Sequence, residues 1–214
     1  GKIIYIVDTL REKEAKKAKI DEAVRSIIKV IKSYSPEVLE KIVIQLGYAA
    51  EIGRAEIVTS VAKAAEGYSE LPEVAERIAY KLTNLGRETR NAILVNLVTR
   101  MYLDEEVRSV IGRLYRLSPL GYHLVDYLGD IMRYTISVGA VKSVIKATER
   151  YFDLPETVDT IAYHLRKVAL RTRSGEAVQL VAEVIKEYSN SPKTSPLFIK
   201  LIAEGFSQLA INAQ

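Results

Sequence analysis

Two stretches of this 214-residue chain nearly repeat each other, and they decide the fold. Residues 60–82 read SVAKAAEGYSELPEVAERIAYKL and residues 143–165 read SVIKATERYFDLPETVDTIAYHL, with 13 of 23 positions identical and no gap. We call this alignment, in which residue 60 corresponds to residue 143, the repeat register. It also aligns three further pairs: Arg25-Ser26 with Arg108-Ser109, Ser35-Pro36 with Ser118-Pro119, and Leu97-Val98 with Leu180-Val181. We interpret residues 25–107 and 108–190 as a tandem duplication.

Each copy carries apolar side chains at the period of an α-helix. The stripe of the first copy and its counterpart in the second are Ile57, Val61, Ala64, Ala65 and Tyr68, and Ala140, Val144, Ala147, Thr148 and Tyr151. Pro72 and Pro155 favour the first position of a helix, and a Glu follows each one. Gly53, Gly86, Gly121 and the Ser174-Gly175 pair lie where the stripes end and are predicted to be helix C-caps or turn residues.

These signals predict an all-α fold of about eleven antiparallel helices, five in each copy and one after them. The predicted helices are 21–34, 37–50, 54–69, 72–86, 89–103, 105–117, 120–134, 138–152, 155–170, 175–188 and 195–211. The predicted organisation is a charged N-terminal segment (1–20), two helical repeat units (21–107 and 108–190) and a C-terminal capping helix (191–214). Lys2–Val7 is the one strand-like piece, and a single strand has nothing to pair with.

A weaker match within the first copy relates residues 57–86 to 93–121, at a spacing of about 36 residues that is typical of α-solenoids. Through this period, Pro72, Pro155 and the stacked Ile, Ala and Leu positions, the chain resembles the HEAT and armadillo class of helical repeats. The resemblance is one of period and implies a solenoid. An odd number of helices per copy also permits a pseudo-twofold pair of five-helix units.

The composition bounds the function classes. The chain has no Cys, which excludes disulfides, thiol nucleophiles and cysteine metal sites, and it has no apolar run long enough to span a membrane. We therefore expect a cytoplasmic protein with no membrane partner. The absence of Trp, the two Met residues and the 27% charged residues are typical of a thermophile.

The 13 tyrosines include three that mark a difference between the copies. Tyr122, Tyr127 and Tyr134 replace Leu39, Ile44 and Glu51 of the first copy. These three tyrosines predict a partner-binding surface in the second copy, because Tyr is enriched at protein interfaces. Substituting Tyr122 and Tyr127 with Ala should then weaken association more than folding.

Arginines in the predicted turns offer an alternative, a nucleic-acid-binding HEAT-like protein. The candidates are Arg54, Arg87, Arg90, Arg171 and Arg173. The net charge is +4, a mild excess. If successive helices alternate in direction, five helices per copy make these arginines diagonal to one another rather than continuous. Basic residues near helix ends also interact favourably with the helix dipole.

No catalytic, cofactor-binding or metal-binding residue is predicted, because the chain contains none of the common nucleotide-binding, hydrolase or zinc-peptidase motifs. The histidines are His123 and His164, and His123 forms a weak metal-like pattern with Asp126 and Asp130. The sequence therefore favours a non-enzymatic scaffold that binds a protein partner or a second copy of itself. Nucleic-acid binding comes second, and an enzyme with an interfacial site comes third.

Overall fold

The computed structural model describes residues 2–13, 17–191 and 194–212. It is 87% helical, and the described residues form twelve α-helices and no strand, which confirms the predicted all-α class. The helices are α1 (Lys2–Lys13), α2 (Lys17–Ser33), α3 (Pro36–Glu51), α4 (Ala55–Gly67), α5 (Pro72–Thr89), α6 (Ala92–Leu103), α7 (Glu105–Leu117), α8 (Gly121–Thr135), α9 (Val138–Thr148), α10 (Pro155–Thr172), α11 (Gly175–Ser189) and α12 (Pro196–Asn212).

The chain divides into two compact units, Gly1–Leu103 and Asp104–Gln214. Within the first unit, α1 packs on α3, α3 on α5, α2 on α4 and α4 on α6. Within the second unit, α8 packs on α10, α10 on α12 and α9 on α11. In each unit a helix thus packs on the next helix but one, so that alternate helices lie side by side.

The two predicted apolar stripes are buried. Every member of both stripes has 4% or less of its surface exposed. The stripe of the first copy lies mainly on α4, and its counterpart lies on α9 and the short 3-10 turn Glu149–Tyr151. Burial of these side chains holds each unit together, since each fully buried aliphatic side chain stabilises by roughly 1.5–3 kcal/mol.

The sequence predicted no helix ahead of residue 21, whereas the strand-like piece Lys2–Val7 belongs to α1. The twelfth helix therefore lies in the predicted charged segment, ahead of the eleven that the sequence predicted. Ile6 and Leu10, four residues apart, are buried against the rest of the unit, whereas Ile4 and Tyr5 are exposed. The β-branched run favours a strand by propensity, but packing on α3 favours the helix and decides the outcome.

The prediction for Gly86 is also wrong, because this glycine lies inside α5 and serves close packing. A Cβ on Gly86, inside α5, would lie 3.0 Å from Cγ2 of Ile57. Gly121 and Gly175 begin helices rather than end them. The helices α5 and α10 end instead at Arg90 and Arg173, whose φ angles of 49° and 50° are left-handed. Gly53, with φ of 79°, is left-handed as a glycine C-cap is expected to be.

Candidate interaction surface

The helices α8 and α10 face each other through three contacts at one constant spacing. His123 Nδ1 donates to Asp159 Oδ1 over 2.9 Å, and Arg166 Nε donates to Asp130 Oδ2 over 2.5 Å. Between these two contacts the rings of Tyr127 and Tyr163 lie 5.8 Å apart. Each contact joins residues 36 positions apart, and both helices use positions i, i+4 and i+7, which share one helix face.

We call the contact between α8 and α10 the seam of this helix pair. Four of its rings form a continuous chain, which we call the ring ladder: His123, Tyr127, Tyr163 and His164. Their centroids are 6.0, 5.8 and 5.2 Å apart in that order. Two cations flank the ladder. The Arg166 guanidinium lies 5.9 Å from the Tyr127 ring, and Lys167 Nζ lies 4.5 Å from the Tyr163 ring. Both distances are typical of cation–π contacts.

The ring ladder is partly exposed to solvent. His123 is exposed, and the other three rings are half-buried. Burial of the phenol, with a further contribution from the Asp159 carboxylate, raises the pKa of Tyr127 to about 12. Its hydroxyl therefore stays protonated at neutral pH and can donate as well as accept a hydrogen bond. Such half-buried rings with polar tips are the side chains that protein interfaces favour.

His164 connects the ladder to α12. Ser207 Oγ donates to the carbonyl oxygen of Glu204, so the proton of the bond between His164 Nδ1 and Ser207 Oγ, 2.8 Å long, comes from the imidazole. Burial of the imidazole, followed by the charge of Lys167, lowers the pKa of His164 below its ordinary value of 6.5. His164 is thus held neutral between two helices of the same unit.

The three predicted tyrosines do not share one surface. Tyr127 lies in the ring ladder, and Tyr134 lies two turns further along the same face of α8. Tyr134 packs against the guanidinium of Arg133, at 5.3 Å. Tyr122 faces α7, where its ring meets Tyr115 edge-on at 5.1 Å. The structure thus brings Tyr127 together with residues that the sequence did not single out as a site, chiefly Tyr163 and Arg166.

The metal-like pattern of His123, Asp126 and Asp130 is not assembled as one site. His123 contacts Asp159 on the neighbouring helix, and Asp130 contacts Arg166. Across the described ranges, no group of three or more His, Asp or Glu side chains is placed to hold a metal ion. The sequence signal that could have related His123 to Asp159 is the spacing of about 36 residues, which is typical of helical-repeat arrays.

The five predicted arginines are all exposed, and they lie in two groups. Arg54, Arg87 and Arg90 flank one edge of the first unit, where the ends of α3 and α5 meet. There the Arg87 guanidinium lies 5.2 Å from the ring of Tyr48. The second group, Arg171 and Arg173, lies at the end of α10 in the second unit. Arg87, Arg90, Arg171 and Arg173 lie at the C-terminal ends of α5 and α10, where the dipole favours positive charge, whereas Arg54 is the N-cap residue of α4.

Comparison with protein-family models, with curated proteins and with solved structures finds no match to this chain. In the part of the chain that the structure describes, no helix combines the length and the apolar character needed to cross a bilayer.

Proposed function

We propose that this chain is a non-enzymatic helical-repeat scaffold that binds a protein partner through the ring ladder. The observation that carries the proposal is the half-exposed contact of Tyr127 with Tyr163, flanked by Arg166 and Lys167. Tyrosine and arginine dominate the energetics of protein interfaces, because they offer large apolar area together with hydrogen-bonding groups. The cytoplasm of a thermophile is the setting that fits the composition.

We infer further that the two copies arose by tandem duplication and form a HEAT-like array. Three features support this inference besides the repeated sequence. The helices α5 and α10 begin and end at corresponding positions of the repeat register, at Pro72 and Pro155 and at Thr89 and Thr172. The residues after them are both left-handed arginines. Packing of alternate helices recurs within each unit.

The duplication explains why the proposed surface belongs to the second copy. In the repeat register, Tyr163 corresponds to Tyr80, but the other ladder positions differ. The counterparts of His123, Tyr127 and His164 are Glu40, Ile44 and Lys81. The first copy therefore keeps one ring of the four and provides a matched control.

Affinity capture from native extract tests the proposal. We expect the double variant Tyr127→Ala/Tyr163→Ala to lose the captured protein, while Tyr80→Ala in the first copy retains it. Thermal unfolding of each variant shows whether the fold survives. A nuclease-treated extract distinguishes a protein partner from nucleic acid held by the arginines. Retention of the partner by the double variant, or its loss after nuclease treatment, would contradict the proposal.

A further inference from the structure

The turn between α8 and α9 holds an isoleucine in a left-handed conformation. Ile136 ends α8 with φ of 52° and ψ of 33°. A β-branched residue in this region is a steric outlier, because its side chain crowds the neighbouring backbone. In the repeat register the first copy has Gly53 at this position, with φ of 79°. The second copy thus carries a strained side chain where its counterpart has a glycine that avoids the strain.

The side chain of Ile136 contributes little to the fold that strains it. It is 63% exposed, and Val138, two residues later, is 41% exposed. So little burial of apolar area does not offset the strain of a left-handed backbone. Strained residues are retained at sites that bind, where function maintains a residue that lowers stability. The exposed isoleucine therefore points to contact with another molecule.

The turn between α10 and α11 has the same construction. In the turns 135–137 and 172–174, the Oγ1 atom of the first threonine accepts a hydrogen bond from the backbone N–H of the last serine, over 3.3 and 3.2 Å. The middle residues, Ile136 and Arg173, are both left-handed and exposed. Each turn therefore holds its middle side chain in a fixed, outward position.

These two turns are in contact with each other. A Cβ placed on Gly175 would lie 2.7 Å from Cβ of Ser137, so the backbone of one turn packs directly on the other. Gln179 Nε2, in the second turn of α11, also donates to Ser137 Oγ over 3.5 Å. Residues 133–138 and 171–175 thus form one surface of the second unit, which we call the turn edge.

The turn edge is basic around its exposed isoleucine. Its charged side chains are Arg133, Arg171 and Arg173, and the first acid after them in the chain is Glu176. Arg171 and Arg173 are exposed, and Arg133 is half-buried. A surface with an aliphatic side chain among arginines is complementary to a protein segment that presents an apolar side chain among carboxylates.

Two other occupants match the turn edge less well. A second copy of this chain, docked symmetrically, would place arginines against arginines. A nucleic acid would contact the arginines through its phosphates, and such contacts make no use of an exposed isoleucine and valine. The retained strain at Ile136 therefore favours an acidic protein segment.

We propose that the turn edge is a docking site for an acidic segment of another protein, whose apolar side chain packs on Ile136 while its carboxylates pair with the three arginines of the edge. The strain at Ile136 is retained because this contact needs the side chain. The site is separate from the ring ladder, since none of the ladder residues belongs to the turn edge.

Fluorescence anisotropy with labelled peptides tests the chemistry of the occupant. The probes are an acidic peptide, EELFEELFEE, its lysine analogue, KKLFKKLFKK, and a ten-nucleotide oligothymidylate. We expect the acidic peptide to bind with a dissociation constant of about 100 μM, and the other two probes to bind at least about tenfold more weakly. Equal binding of the two peptides, or tighter binding of the oligothymidylate, would overturn the proposal.

The variant Ile136→Gly separates binding from folding. It should raise the melting temperature by about 2–4 °C, because it removes the strain, and weaken binding of the acidic peptide about tenfold. Arg90→Gly is the matched control, because Arg90 is left-handed in the first copy; it should also raise the melting temperature but leave peptide binding unchanged. Unchanged peptide binding by Ile136→Gly, or a lower melting temperature, would refute the proposed role of Ile136.

Two double variants separate the turn edge from the ring ladder. Arg171→Glu/Arg173→Glu should weaken binding of the acidic peptide about a hundredfold, because it reverses two charges. Tyr127→Ala/Tyr163→Ala, which tests the ring ladder, should bind the peptide as the parent chain does. Loss of peptide binding in the tyrosine variant, or its retention in the arginine variant, would place the acidic segment elsewhere and contradict a docking site at the turn edge.

Discussion

The helix pair α3 and α5 of the first unit and the pair α8 and α10 of the second are alike in packing and different in chemistry. In the first pair, the ion pair joins two exposed side chains, with Lys41 Nζ and Glu76 Oε2 at 3.2 Å. In the second pair, Asp130 is 5% exposed and accepts a hydrogen bond from Arg166. Helix pairs that correspond in the repeat register thus carry a solvated ion pair in one unit and a largely buried one in the other.

The difference shows which part of the sequence determines the fold and which part is available for function. The buried aliphatic positions of α5 and α10 correspond in the repeat register, and they include Ile78 and Ile161. The more exposed positions along the contact between the two helices differ between α5 and α10. A helical unit held together by its buried stripes tolerates exchange of exposed residues, because these contribute little to folding. The buried Asp130 is the exception, because it accepts a hydrogen bond from Arg166.

The largest expected effect tests whether the two cores are equivalent. Ile78 and Ile161 are both completely buried. We expect Ile78→Ala and Ile161→Ala each to lower the free energy of unfolding by about 3–4 kcal/mol, because each removes buried methyl groups and leaves a cavity. Urea unfolding followed by circular dichroism measures both. A difference between them well above ~1 kcal/mol would show that the two cores are not equivalent.

The second prediction compares the ion pairs of the two helix pairs. Asp130→Ala should cost about 3 kcal/mol, because it leaves the partly buried guanidinium of Arg166 without this carboxylate. Lys41→Ala removes the exposed pair of the first unit and should cost about 0.5 kcal/mol or less. Equal losses for the two variants in urea unfolding would mean that the seams do not differ as described.

A smaller effect depends on pH and on His164, whose counterpart in the first unit is Lys81. The folded-state pKa of His164 lies below 6.5 because burial disfavours its charged form. Between that folded value and 6.5, the unfolded chain binds more protons than the folded chain. The contribution of His164 to stability is therefore fully present above pH 6.5 and falls as the pH drops through the folded pKa. His164→Gln should flatten this part of the stability profile, and an unchanged slope would contradict the assignment.

The smallest expected effect concerns the left-handed arginines that end α5 and α10. Glycine adopts this conformation without the steric cost that a side chain incurs. Arg90→Gly and Arg173→Gly should therefore each stabilise the chain by about 0.5–1 kcal/mol, and Gly53→Ala, at a φ of 79°, should destabilise it by about 1 kcal/mol. Melting temperatures measured at one pH compare the three variants. Destabilisation by both arginine variants would indicate that their side chains hold the helix ends.

The sequence predicted the parts of this fold that depend on periodicity. The stripe from Ile57 to Tyr68 could be predicted from its helical period. The helix starts at Pro72 and Pro155 could be predicted from a proline followed by a glutamate. The helix α1 was not predicted, because the run Ile3–Val7 has strand propensity and it is the packing of α1 on α3 and α2 that favours a helix.

Of the four ring-ladder residues, the sequence assigned Tyr127 to a binding surface. Tyr127 was predicted because it stands where the first copy has Ile44. Tyr163 has a tyrosine counterpart, so the same comparison could not distinguish it. The partners of Asp130 and His123 lie on another helix, 36 residues away, and pairing them requires the register between two helices. Local spacing within α8 could not supply that register.

Hydrogen exchange on the full chain, with and without the captured partner, tests the central claim most directly. If the ring ladder is the binding surface, partner binding should slow amide exchange in α8 (Gly121–Thr135) and α10 (Pro155–Thr172). The matched helices α3 (Pro36–Glu51) and α5 (Pro72–Thr89) should exchange at unchanged rates. Protection confined to α3 and α5, or exchange in α8 and α10 that the partner does not alter, would contradict the account.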